Sequence, residues 1–318
     1  GEGMAQMFQM MNGARMDTGM AGYCVATQAY NNAVDYARNR IQGRSFKDPK
    51  AGRVPIIQHA DIRRILLNIK SCTDAMRAMA FKTYYYFDIS RHSPDEAERQ
   101  MAKDRIEVMT PLVKAYCTDM AWPLIGDAIQ VYGGYGFIEE YPVAHFARDS
   151  KIYSLWEGTN FIQSQDLVGR KWTLKQGQLF LDWLEDLSSI LRARADQPEF
   201  TTESAIMAEA LASYKRIKAL MDDFGQQGKR EMLPLYATRL LHATAQLCGG
   251  VYLLDQAAIA AEKIAEYGND HWDFAYYQGK IDGARYYIKN TVPSIMQLEV
   301  ILKYGDDSAL LIPEASLG

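Results

Sequence analysis

Along almost the whole 318-residue sequence, hydrophobic residues recur at the spacing of a helix, and this limits the fold more than any other feature. Ile62, Ile65, Leu66, Ile69, Met76 and Met79 follow the i, i+3, i+4, i+7 pattern of an amphipathic helix. Val, Ile and Thr nowhere alternate with polar residues over a useful length, and no Asn-Gly hairpin turn occurs. The expectation is an all-α chain. Ser93-Pro94-Asp95-Glu96 is a start signal, with Ser93 as the cap, Pro94 where no N–H is needed and Glu96 reaching back. Thr110-Pro111 repeats the device and predicts a further helix running to Tyr132, kinked near Pro123 and ended by Gly133-Gly134. Residues 43–55, GRSFKDPKAGRVP, read as a loop.

A boundary falls near Lys171-Trp172. Net charge is +2 before it and −6 after it. The second part predicts helices over about 174–195, 202–224, 230–267 and 271–304, separated by Asp196-Gln197-Pro198, Gly225 to Gly228 and Gly268-Asn269-Asp270. With 48% hydrophobic residues there is ample material for a core. No run of about 18 apolar residues predicts a membrane span. The negative second part has the wrong sign for a phosphate backbone, so no nucleic-acid partner is expected. Cys24, Cys72, Cys117 and Cys248 form no CxxC pair and read as buried free thiols in a reducing compartment. No secretory signal opens the sequence as given, and the Met-rich GEGMAQMFQMMNG reads as the interior of something longer. The expectation is therefore the C-terminal part of a larger cytoplasmic protein.

Chemistry-bearing motifs are few. The five histidines show no HExxH, and none lies three or four residues from another His or a Cys, so no metal site is expected. No GxSxG elbow occurs. GGYGF, residues 133–137, serves as a helix stop and turn, and such a turn also lets backbone approach a cofactor closely. In KIYSLWEGTNFIQSQ, residues 151–165, Glu157 stands between Trp156 and Gly158, with Thr159 following. Two readings stay open. Glu157 is a charge just outside a helix that Thr159 caps, or it is a base in an apolar pocket whose burial beside an aromatic ring raises its pKa.

The order of these residues adds a resemblance. DAIQVYGGYGFIEEYPVAHFARDSKIYSLWEGTNFIQ, residues 127–163, resembles the last part of the acyl-CoA dehydrogenase catalytic region. The shared pattern is a glutamine and glycine run, then E-Y-P, R-D and an Glu-Gly-Thr segment ending in Ile-Gln. Upstream, residues 1–40 look like the entry to that family's C-terminal helical domain, and Tyr36 to Arg40 fits its Tyr-Ala-x-x-Arg step. The resemblance covers residues 1–171 and implies a four-helix bundle. Residues 172–318 resemble the helical C-terminal extension of a longer bacterial branch.

This resemblance implies FAD, an acyl-CoA substrate, an electron-transfer flavoprotein or similar acceptor, and a homo-dimer or homo-tetramer. It implies Glu157 as the base in α,β-dehydrogenation to a trans-2-enoyl-CoA. Arg40, Gln130, Gly134 and Thr159 would contact FAD, with Arg40 reaching its phosphates across a subunit interface. Trp156, Gly158 and Arg15 would line the thioester site. The family's Phe-Gly after the arginine is replaced by Ile41-Gln42-Gly43-Arg44, and Phe161 stands where some members are polar. The family's N-terminal helical and middle β domains have no counterpart in the sequence, so the chain alone is expected to be inactive and nearly free of flavin. The alternative is a flavoprotein relative whose extension binds DNA or only builds oligomers.

Overall fold

A computed structural model describes residues 3–48, 50 and 52–318, the side chains of residues 4, 5, 8 and 9 excepted. Among the described residues the chain is all-α apart from one small ribbon, as the periodicity predicts. It divides into two compact units, Gly1–Asn160 and Phe161–Gly318.

The first unit is built on three long helices, α1 (Gly3–Asn39), α2 (Ala60–His92) and α3 (Glu96–Tyr132), with the nine-residue α4 (Val143–Lys151) packed on α3 and α1. The inner face of α1 is small: Ala26, Ala29, Ala33 and Ala37 are wholly buried. Gly19 and Gly22 take the approach further. A Cβ on Gly19 would lie 2.6 Å from the Val113 carbonyl oxygen, and one on Gly22 would lie 3.0 Å from that of Cys117. The α1 backbone therefore rests almost directly on the 113–118 turn of α3. On α2, Ile65, Leu66, Ile69, Met76 and Met79 are buried as their spacing requires, while Ile62 is half-buried.

Three local expectations need correction. The cap of α3 is Asp95, whose side chain accepts from the Ala97 N–H at 2.8 Å. Ser93 instead accepts from the Asp95 N–H and donates to Glu98. Thr110-Pro111 starts nothing, because α3 runs unbroken through Pro111 and Pro123. Pro111 removes one N–H, but Thr110 Oγ1 donates to the Ile106 carbonyl at 2.8 Å and both residues lie in the core, where packing outweighs the lost bond. The segment read as loop 43–55 carries a short antiparallel ribbon, β1 (Ile41–Arg44) with β2 (Arg53–Pro55), although residues 49 and 51 lie outside the described residues. Strands this short show no alternation; only Val54 in them is buried. Gly133, with φ +60°, does end α3.

The second unit contains α6 (Gln178–Arg194), α7 (Thr201–Gln226), α8 (Met232–Tyr267), α9 (Phe274–Asn290), α10 (Ser294–Lys303) and the short α11 (Ser308–Leu311), preceded by α5 (Asn160–Gln165) at the junction. The expected helix over 271–304 is two helices, because Pro293 has no N–H to continue α9 and instead precedes α10. Cys72, Cys117 and Cys248 are buried free thiols; Cys24 is exposed, contrary to expectation. Among the described residues no helix is long and apolar enough to cross a membrane.

A charge network ties α7 to α10. Buried Glu299 accepts two bonds from Arg216 at 2.8 Å and one from Lys303 at 2.6 Å. The Arg216 bonds, then that of Lys303, hold its carboxyl down to about 2. A depressed carboxylate stabilises the fold above its unfolded pKa, near 4.5, and loses that contribution as pH falls toward 2. Because its cationic partners face solvent, we expect about 2 kcal/mol. In urea unfolding, the stability gap between wild type and Glu299→Gln should be present at pH 6 and close between pH 4.5 and 2.

Candidate active site

The sequence-predicted residues fall into two groups, both in the first unit. One group lines a cavity of about 720 Å³ where the end of α1, the ribbon, the start of α2 and the glycine turn after α3 meet. Arg40, Gln130 and Gly134 all face it. The Arg40 backbone closes α1 through its N–H to Tyr36 and accepts from the Ile56 N–H at 2.8 Å, fixing where its side chain leaves. Its exposed guanidinium lies over the Tyr135 ring, 5.4 Å from the centroid. Below it Tyr36 and Tyr132 stack at 4.1 Å, with Tyr141 edge-on at 5.4 Å to Tyr132. His59 Nε2 is 2.7 Å from the Gln42 carbonyl, and Gly43, at φ +72°, leaves the ring space. A Cβ on Gly134 would meet nothing within 4 Å, so the cavity keeps open room beside that backbone. An exposed guanidinium, an amide and an open glycine backbone form a donor set that fits a diphosphate-bearing cofactor such as FAD.

The second group surrounds Glu157 and does not line that cavity. Glu157 has φ +56° and Gly158 φ +81°, so the chain turns through two successive left-handed residues before α5 begins at Asn160. Such a conformation costs a non-glycine residue about 1–3 kcal/mol and persists only where its surroundings enforce it. The enforcing residues lie on α3. Lys114, whose side chain is wholly buried, donates to the Gly158 carbonyl and to Asn160 Oδ1, both at 2.8 Å. Asn160 Nδ2 in turn donates to the Ala115 carbonyl, Thr118 Oγ1 and Asp119 Oδ1. Burial pulls the Lys114 ammonium down to about 8, with Asp119 opposing, Arg15 adding to the fall and Glu157 opposing. Arg15, half-buried on α1, keeps its Nε buried without a hydrogen-bond partner.

Glu157 is half-buried, Thr159 is exposed and Trp156 exposes 49% of its surface. The apolar enclosure expected around the carboxylate is thus only partly supplied by this unit. Thr159 precedes α5 directly, where the helix-cap reading put it. Lys114 and Asn160 were missed in the sequence. The signal was there: a single lysine inside the apolar run Leu112 to Cys117 of a helix must find a buried partner.

Residues 1–171 match the family model described as the acyl-CoA dehydrogenase C-terminal domain, and residues 183–313 match one described as acetyl-CoA dehydrogenase C-terminal like. The chain belongs to the acyl-CoA dehydrogenase family. Over 317 residues it is 44% identical to a butyryl-CoA dehydrogenase of Syntrophomonas wolfei subsp. wolfei, covering all of this chain and 52% of that protein. The chain thus spans about half the length of the curated relatives it matches. An acyl-CoA dehydrogenase from Bacillus anthracis, solved in complex with FAD, superposes with TM-score 0.67 at 21% identity over 94% of this chain and 50% of that one. Caenorhabditis elegans ACDH-11, solved with C11-CoA, gives TM-score 0.71 at 17% identity over 91% and 44%. Both share the fold.

Proposed function

We propose that this chain is the C-terminal portion of an FAD-dependent acyl-CoA dehydrogenase that converts a saturated acyl-CoA to the trans-2-enoyl-CoA, with Glu157 as its base. The observation that supports this reading is the Glu157 turn, a left-handed backbone inside the family-matched region whose next carbonyl, that of Gly158, is held by buried Lys114. The Glu157 carboxylate takes the proton from the substrate α carbon, and its backbone N–H polarises the thioester carbonyl. FAD, when bound, accepts the β hydrogen as hydride, so the pair of electrons from the α C–H bond closes the new double bond. Trp156, Gly158 and Arg15 border the thioester, and Thr159 contacts the cofactor. Arg40 would hold the FAD phosphates and Gln130 and Gly134 would lie near its adenosine part, and their separation from the Glu157 group suits a homo-oligomer in which one subunit completes its neighbour's cofactor site. The butyryl-CoA dehydrogenase relative makes a short straight-chain acyl-CoA the first substrate to try.

The test is a panel of acyl-CoA thioesters of different length with a full-length protein carrying this chain and an artificial electron acceptor. Oxidation of butyryl-CoA is expected; a yellow protein that oxidises none of them contradicts the reading. Replacement of Arg40 by Gln is expected to weaken FAD binding about tenfold or more, since charge-assisted bonds to phosphate contribute about 1.5–3 kcal/mol. The check is flavin retained after gel filtration at matched concentrations.

A further inference from the structure

We infer that Lys114 and Asn160 form a buried latch that holds the Glu157 backbone in place, which makes both of them positioning residues for the proposed base. The inference rests on the functional reading above. An ammonium without water is costly unless its protons are used, and a methionine would fill the same space at far lower cost. The chain nevertheless buries Lys114 completely and directs two of its protons at neutral oxygens, the Gly158 carbonyl and Asn160 Oδ1. Charge-assisted bonds of this kind are about twice as strong as neutral ones. The carbonyl it grips is one peptide beyond Glu157, where the backbone takes its two left-handed steps.

Asn160 completes the device. Its amide is anchored to α3 at Ala115, Thr118 and Asp119, so the turn is tied to one helical turn of α3 from both sides. With the ammonium at about 8, the latch is charged at neutral pH. These bonds tie α3 to the backbone that follows Glu157. Their evident effect is to fix the direction in which Glu157 leaves the backbone. A shift of about 1 Å in a reacting group costs on the order of 10²-fold in rate.

The test uses the full-length flavoprotein in four forms: wild type, Lys114→Met, Asn160→Ala and Glu157→Gln. Both latch variants are expected to retain FAD and to bind butyryl-CoA within a few-fold of wild type, judged by the perturbation of the flavin spectrum. Their kcat should fall about 10²-fold, with a larger isotope effect from α-deuterated butyryl-CoA because proton removal becomes limiting. Amide hydrogen exchange of peptides spanning 155–160 should rise about tenfold, while peptides from α6 to α8 stay unchanged. If Glu157→Gln is inactive but the latch variants keep kcat within twofold, the latch proposal is overturned while the base assignment stands. If Glu157→Gln is fully active, the base assignment itself fails. If Lys114→Met does not fold, Asn160→Ala decides by the same readouts. Failure of both to fold with flavin means the bonds hold the unit rather than the base, and overturns the proposal.

Discussion

Glu157→Gln is expected to cut acyl-CoA oxidation by a full-length dehydrogenase carrying this chain at least about 10²–10⁴-fold, the range a positioned general base supplies. Flavin content and melting temperature should stay near wild type. The substitution is nearly isosteric, and glutamine tolerates the left-handed conformation as glutamate does, so the turn gripped by Lys114 remains as it is. What disappears is the acceptor for the α proton. KM for butyryl-CoA should change little, because the amide still fills the space beside the thioester. A rise in KM alongside the fall in kcat would point instead to a disturbed binding pocket. The steady-state rate with an artificial acceptor, read beside the flavin spectrum, checks this.

The second large effect is structural. Gly19→Val is expected to cost the first unit about 3 kcal/mol, the upper end for overpacking, because the added Cβ would meet the Val113 carbonyl oxygen at 2.6 Å and Val113 Cγ1 at 2.8 Å. Backbone on a long helix cannot swing aside as a flexible side chain does, so α1 would have to lift off α3 next to the turn that bears Lys114. For a unit of this size the melting temperature should fall by roughly 6–12 °C. Gly13 is the control on the same helix. A Cβ there meets nothing within 4 Å, so Gly13→Ala should stabilise by about 0.5–1 kcal/mol through helix propensity alone. Thermal unfolding followed by circular dichroism separates the two. Equal shifts for both variants would mean that the close approach of α1 to α3 does not matter.

The helices were legible because their cores are periodic. Ile65, Leu66 and Ile69 lie inward where their spacing puts them, and Gly133 stops α3 because a residue at φ +60° is needed there. What was illegible depended on contacts from far along the chain. Pro111 looks like a helix start in isolation; only the burial of Thr110 to Cys117 carries α3 through it. Pro293 shows the opposite outcome, ending a run of helical periodicity where the chain turns at Thr291. Ser93 and Asp95 are both good caps two residues apart, and propensity does not choose between them. Within the candidate site, Arg40, Gln130 and Gly134 were singled out by the family resemblance and not by their spacing, and all three face one cavity. The latch was not, because Lys114 and Asn160 are 46 residues apart and meet only when α3 and the Glu157 turn pack.

The most direct measurement follows the fate of the substrate α hydrogen. Under anaerobic conditions, α-deuterated butyryl-CoA is mixed with full-length protein, and flavin reduction and the remaining label are recorded together. Wild type should reduce its flavin more slowly than with unlabelled substrate and lose one α deuterium per turnover. Glu157→Gln should bind the thioester, leave the flavin oxidised and return the substrate with its label intact. Flavin reduction and label loss by Glu157→Gln at near wild-type rates would contradict the assignment of Glu157 as the base.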